Sequence, residues 1–351
     1  MKRTSKKLIS VVMIVGILLS SLGLTTFAAQ SNVEVAKEVA SKIATWQVKN
    51  ATITPGSTDL DGEVDWSVFA CARAGYSGYD NYLAYIDGAV SANYDNLYLT
   101  DAARIALAVD AKRGNAKSVG GHNLIDVITS TDLKDEVFTA GVSYALLALD
   151  AKNYGKQSTK NEIIQILISA QRNDGGFNYL LKADPGNIYS LDGDVDSTAM
   201  VLQALAPYAA DAAVAAVISP AVAFVNAGQK GTGGFGGAWG DSPDTTAQAL
   251  TALSVLGIDP MGTEYVKNGK TILDAVKAYQ NEDGGIKGYD GASNTMSSYQ
   301  MLYALGAYVR FAEGRSSLFD FSDTVTNVFQ VIRMFFVLVF KIIWQLIRSI
   351  I

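Results

Sequence analysis

The chain has 351 residues, a formal charge of −6 and a single cysteine. Lys2, Arg3, Lys6 and Lys7 contribute four of the positive charges, so the chain without them carries −10. An acidic body of this kind is a poor match for nucleic acid or a phosphate-rich surface, and the lone Cys71 excludes an intramolecular disulfide.

Residues 1–29 read as a signal peptide. The four bases precede an apolar run from Leu8 to Leu24, and Thr26-Phe27-Ala28-Ala29 supplies small residues for cleavage. An uncleaved anchor is the alternative. No Cys follows the run, which rules out a bacterial lipoprotein anchor. The expected address is therefore secreted, at the extracellular face of a bacterial cell membrane.

From residue 30 onward the patterning is helical and comes in pairs. Residues 35–46 pair with 66–74, 79–90 with 102–113, and 124–128 with 137–152. Cys71, inside the apolar stretch Phe69-Ala-Cys-Ala-Arg73, reads as a buried small residue. Asp65-Trp66 is expected to open an inner helix, with Trp66 as a core anchor or cavity wall. His122, in Gly120-Gly-His-Asn123, reads as a turn or cap residue rather than a ligand.

The second half repeats one motif three times: Gln171-Arg-Asn-Asp-Gly-Gly-Phe177, Gln229-Lys-Gly-Thr-Gly-Gly-Phe235 and Gln280-Asn-Glu-Asp-Gly-Gly-Ile286. The starts lie 58 and 51 residues apart. Each Gln ends a helical run (163–170, 221–227 and 272–279), and Gly-Gly lets the backbone turn through positive φ. A polar loop follows, then a helix rich in small residues: Asp196-Ser-Thr-Ala, Asp244-Thr-Thr-Ala and Met296-Ser-Ser-Tyr. Asp196 and Asp244 are expected to cap these helices.

Three clear pairs and three fainter ones make six helical hairpins. Spread over residues 30–313, each helix with its loop has about 24 residues, which suits a helical repeat. The expected fold is all-α: a single-domain (α/α)6 toroid with inner and outer rings of six helices.

Asp192, Asp194 and Asp196 alternate like the opening of a calcium loop. Ser197 and Gln203 stand where that loop needs Gly and Glu, so no metal site is expected. Residues 318–351 read as a basic amphipathic membrane-associating tail. Gln330, Arg333, Lys341, Gln345, Arg348 and Ser349 fall within about 160° on one helical face. The longest uncharged run there, 334–340, is too short to span a bilayer, so the tail is expected to lie in the interface.

The Gln-x-x-x-Gly-Gly turns with their Asp-Ser-Thr-Ala and Asp-Thr-Thr-Ala helices resemble the prenyltransferase and squalene-cyclase repeat superfamily. The likeness covers about residues 30–313 and is strongest over 163–310. It implies the toroid fold. Family members include protein prenyltransferases, class II terpene cyclases and the helical domain of cobalamin carriers. The prenyltransferase zinc set of Asp, Cys and His has no counterpart here. Class II cyclases carry Asp-x-Asp-Asp-Thr-Ala, and the resemblance aligns Asp196 with their proton donor and Asp194 with the first acid. Ser197 replaces the last acid. Their cavity aromatics would correspond to Tyr179, Trp239, Tyr289 and Tyr299, and Trp66 is a further cavity candidate. The carriers' contacts would fall on Asp196, Asp244 and Ser297. No cofactor is implied.

The functional expectation is a pocket at the mouth where the inner-helix N-termini gather. Three readings stand: binding of an apolar or amphipathic ligand such as a polyisoprenoid or corrinoid; a divergent class II cyclase with Asp196 as acid; or a structural or adhesive surface protein with a filled axis. The partners expected are that small ligand and the membrane surface, and no nucleic acid.

Overall fold

The structure, a computed structural model, describes residues 31–237 and 240–324. The signal segment 1–29, Trp239 and the tail from 325 onward lie outside the described residues. Twelve α-helices are described: α1 (residues 31–50), α2 (Gly62–Ala74), α3 (Tyr82–Asn93), α4 (Leu99–Ala111), α5 (Leu124–Ser130), α6 (Thr139–Ala151), α7 (Gln157–Ser169), α8 (Val195–Leu205), α9 (Ala212–Ala227), α10 (Pro243–Val255), α11 (Ile272–Tyr279) and α12 (Thr295–Ala312). The even-numbered helices touch in the order α2–α4–α6–α8–α10–α12 and back to α2, which closes an inner ring. The odd-numbered helices lie outside it. The expected (α/α)6 toroid is the fold.

Composition follows from position in the ring. An inner helix has neighbours on every side, so every residue of α10 from Thr245 to Ser254 and of α12 from Ser297 to Arg310 is buried. A helix buried all round cannot show a strong apolar stripe, and small side chains let its neighbours approach. Outer helices bury one face: α7 buries Lys160, Ile163, Ile164 and Leu167.

The repeated motif is a hydrogen-bond device. The first glycine of each pair, Gly175, Gly233 or Gly284, has φ of 87°, 91° or 96°. The second glycine has a different reason to be Gly: a Cβ on Gly234 would stand 2.1 Å from the Tyr279 hydroxyl, and one on Gly285 2.6 Å from Ser293 Cβ. The Gln side chain then ties its own turn to the next hairpin. Gln171 Nε2 donates to Gly175 O and Val217 O, both at 2.8 Å. Gln229 donates to Gly233 O at 3.1 Å and Tyr265 O at 2.8 Å. Gln280 donates to Gly284 O at 3.1 Å and to Val39 O of α1 at 3.2 Å, which joins the last hairpin to the first.

Residue positions after the turn are set the same way. The amides of Phe177, Phe235 and Ile286 donate to hydroxyls in the next inner helix: Thr198 at 2.8 Å, Thr246 at 2.9 Å and Ser298 at 2.9 Å. The sequence explains these hydroxyls only as small residues; the structure gives them this second task.

The capping expectation is corrected by two residues. The caps are Asp194, Ser242 and Asn294, whose side chains accept from the amides of Ser197, Thr245 and Ser297. Asp196 and Asp244 sit in the first turn instead. Helix α2 likewise begins earlier than expected, capped by Asp61, and Asp65 is fully buried within it.

At the other end of the inner ring, the stretch from Ser316 to Asp323 closes the mouth. Leu318, Phe319 and Phe321 are buried, and both Phe rings stack on Phe69. The described part of the segment assigned to the tail, 318–324, therefore packs on the toroid, where its apolar side chains find a core. Two buried arginines hold it. Arg73 donates to the carbonyls of Leu318, Ser317 and Asp320 and pairs with Asp323, while Arg310 binds Ser316 O and the same Asp323. Burial and the Arg310 charge bring the Arg73 guanidinium down to about 10.

Two outcomes are expected from urea unfolding. Gln280→Ala removes two bonds to carbonyls and costs about 2 kcal/mol. Asp323→Ala leaves two buried guanidinium groups facing each other and costs about 3 kcal/mol; a change below about 0.5 kcal/mol would show that the clamp does not hold this end.

Candidate functional site: the acid-bearing mouth

The axis of the ring is crossed by an aromatic layer. Trp66 of α2 reaches Tyr144 of α6 with ring centroids 4.9 Å apart, although α4 lies between those helices. It also meets Tyr299 and Tyr303 of α12, each at 6.3 Å. Beside this layer runs a chain of buried amides. Gln203 Nε2 donates to Gln248 Oε1 at 2.8 Å, and Gln248 Nε2 donates to Gln300 Oε1 at 2.9 Å. Tyr144, Tyr303 and the three glutamines escaped sequence reasoning. The signal was present in part, since Gln248 and Gln300 each stand four residues after Asp244 and Met296.

At the N-terminal ends of α8 and α10, beside the C-terminal end of α9, lies a cavity of about 620 Å³. Val195, Phe224 and Ala227 form apolar wall, Gly228, Gly236 and Gly240 contribute backbone to it, and Asp194, Asp196 and Thr245 supply polar atoms. The wall takes this form because the Gly236–Gly237 and Gly240–Asp241 pairing folds the loop back before α10.

The two acids of α8 differ in their partners. Asp194 Oδ1 accepts from Ser197 N at 2.7 Å, and its Oδ2 accepts from Ser197 Oγ at 2.8 Å and Tyr179 N at 3.2 Å. Burial raises its pKa against the pull of the Ser197 bonds. Asp196 accepts one bond, from Thr245 Oγ1 at 3.2 Å, and its Oδ1 is buried without a partner. Burial, then the Asp194 charge, pushes Asp196 up to about 7, the Thr245 bond opposing. Asp244 repeats the arrangement one helix on: its Oδ1 is also unpartnered, and burial raises it against a bond from Ser297. The result is a pair of carboxyls whose ionisation burial opposes, Asp196 the more strongly, at the edge of an apolar cavity.

The other sequence candidates are dispersed. Ser297 is buried beside Asp244 and its amide is the one Asn294 caps. Tyr299 and Trp66 belong to the aromatic layer. Tyr179 is 41% exposed at the rim, its hydroxyl accepting from Asn187 Nδ2 at 2.8 Å. Tyr289 is fully exposed. Among the described residues no group of His, Cys, Asp and Glu side chains could hold a metal ion.

Raising a carboxyl above its unfolded value of 3.8 makes its ionisation oppose folding. For Asp196 the folded state holds its proton up to about pH 7, so its contribution is most favourable below the unfolded value and is lost as pH rises through 7. A shift of this size corresponds to about 4 kcal/mol at most. Asp196→Asn is therefore expected to raise the Tm at pH 8 by several degrees and to leave it nearly unchanged at pH 5; equal effects at both pH values would show that Asp196 titrates normally.

No protein-family model matches the chain, and no curated protein matches it. Solved structures do. An unsaturated glucuronyl hydrolase from Bacillus sp. GL1 is similar over 83% of this chain and 99% of its own, with 13% identity and a TM-score of 0.54. A type II terpene cyclase from Scytonema is similar over 81% and 99%, with 11% identity and a TM-score of 0.54. Protein geranylgeranyltransferase-I from Candida albicans is similar over 78% and 92%, with 10% identity and a TM-score of 0.51. At such identities the likeness is one of fold: the chain shares the α/α toroid of terpene cyclases, prenyltransferases and glycan-degrading enzymes.

Proposed function

We propose that the chain is an exported α/α-toroid protein, held at the outer face of the cell membrane by its basic tail, that binds an apolar or amphipathic ligand at the acid-bearing mouth. Polyisoprenoids and corrinoids are the classes considered. The observation that carries this reading is the cavity of about 620 Å³, whose apolar wall meets a carboxyl oxygen with no protein donor. Apolar lining with a few convergent polar groups is the usual form of a small-molecule site. The aromatic layer of Trp66, Tyr144, Tyr299 and Tyr303 argues against a ligand threading the axis.

A second reading rests on Asp196. A carboxyl still protonated near neutral pH, facing an apolar cavity, is a general acid in waiting. The type II terpene cyclase from Scytonema has the same toroid fold, which is consistent with this reading. Ser197 in place of an acid weighs against it here.

The deciding experiment incubates the full chain with squalene, geranylgeranyl diphosphate and a corrinoid mixture, then analyses the retained material by chromatography and mass spectrometry. The binding reading expects an unchanged compound, retained within about tenfold by Asp196→Asn. A new product of the substrate's mass, lost by a factor of about 100 or more in Asp196→Asn, would establish cyclisation instead. Nothing retained would leave a structural role.

A further inference from the structure

The toroid is polarised from end to end. The six loops that lead into the inner helices contain 14 Asp and Glu but only 5 Lys and Arg. The six stretches that follow the inner helices contain 7 acids and 8 bases. Exposed apolar side chains follow the same division. Of the ten large ones exposed among the described residues, nine lie in the entering loops or the first turn of α12, and Val266 alone lies elsewhere. Tyr98 is 77% exposed and Tyr189 79% exposed.

Two facts about the cavity at this end bear on what enters it. Its wall is apolar, and Asp196, which lines it, has a buried Oδ1 with no donor from the protein. An unpartnered buried acceptor costs free energy that a donor from a ligand recovers. An anionic headgroup offers no donor and meets an end whose loops hold more acids than bases. An ammonium group offers three donors and is attracted by the field of the whole mouth.

We propose that the ligand of this mouth is an amphipathic amine: an apolar body seated against Val195, Phe224 and Ala227, with its ammonium at Asp196. The inference rests on the reading that this mouth binds an amphipathic ligand, and it excludes phosphorylated polyisoprenoids from that class. The charged and titratable groups facing Asp196 are Asp194 from its own cap, Asp244 from α10 beside Thr245, and Tyr144 from α6. None of them is a cation. Two guanidinium groups act on this cluster, and the protein engages both: Arg104 through Asp65 at 2.9 Å and Asp101 at 2.8 Å, and Arg172, which acts on Asp194, through the carbonyls of Ala170, Leu180, Leu181 and Ser190.

The test compares hexylamine, hexanol and hexyl phosphate, which share one apolar body and differ in the head. Binding to the full chain is measured by titration calorimetry at pH 6 and pH 8, with circular dichroism to confirm that each variant is folded. Hexylamine is expected to bind at least about tenfold more tightly than the other two at pH 8, the size of one charge-assisted hydrogen bond. Its affinity is expected to fall by up to about tenfold at pH 6, as Asp196 takes up a proton that competes with the ammonium. Asp196→Asn is expected to bring hexylamine level with hexanol at both pH values. Equal binding of hexylamine and hexanol by the unaltered chain would overturn the amine and leave the amphipathic site standing. Tightest binding by hexyl phosphate would overturn the amine and reverse the sign of the site. If none of the three binds, both the amine and the underlying reading of this mouth fall.

Discussion

One side-chain amide holds the ring in register. A glutamine at the end of an outer helix must satisfy the carbonyl of its own Gly-Gly turn and a carbonyl of the following hairpin at once. That double demand fixes the distance between successive hairpins and so the curvature of the toroid. Gln280 makes the same pair of bonds across the seam between last and first hairpins. The turn is in turn fastened to the inner helix through the hydroxyls of Thr198, Thr246 and Ser298. Turn, outer helix and inner helix are thus a single hydrogen-bonded unit, and the cavity inherits its geometry from that unit.

Much of this was legible in the sequence because the motif is local. Gln, Gly-Gly and the small-residue helix recur at fixed offsets, and each carries its own reason to be there. The caps were less legible. Asp194 and Asp196, or Ser242 and Asp244, are equally good acceptors two residues apart, and only the loop geometry chooses between them. Asp194 N donates to Phe177 O at 2.7 Å and Ser242 N to Phe235 O at 2.9 Å, and these bonds place the helix start. The displaced acids then turn from cap to cavity, which is why Asp196 keeps an oxygen without a partner.

Features built by distant parts of the chain were not legible. Trp66 and Tyr144 meet across the ring, and nothing in either local stretch announces the other. Residues 318–324 read as the start of the membrane-associating tail because sequence alone does not distinguish a bilayer from an open end of a helical ring as the destination of Leu318, Phe319 and Phe321. Arg73 and Arg310, each buried in an inner helix, are what make the second destination available.

That clamp has a mechanical consequence. The chain passes out of the described fold at residue 324, from the end of the ring opposite the cavity, and it does so from an anchorage on two separate inner helices. A pull on the following segment is shared between α2 and α12 and directed along their axes, into the part of the ring that is packed most completely.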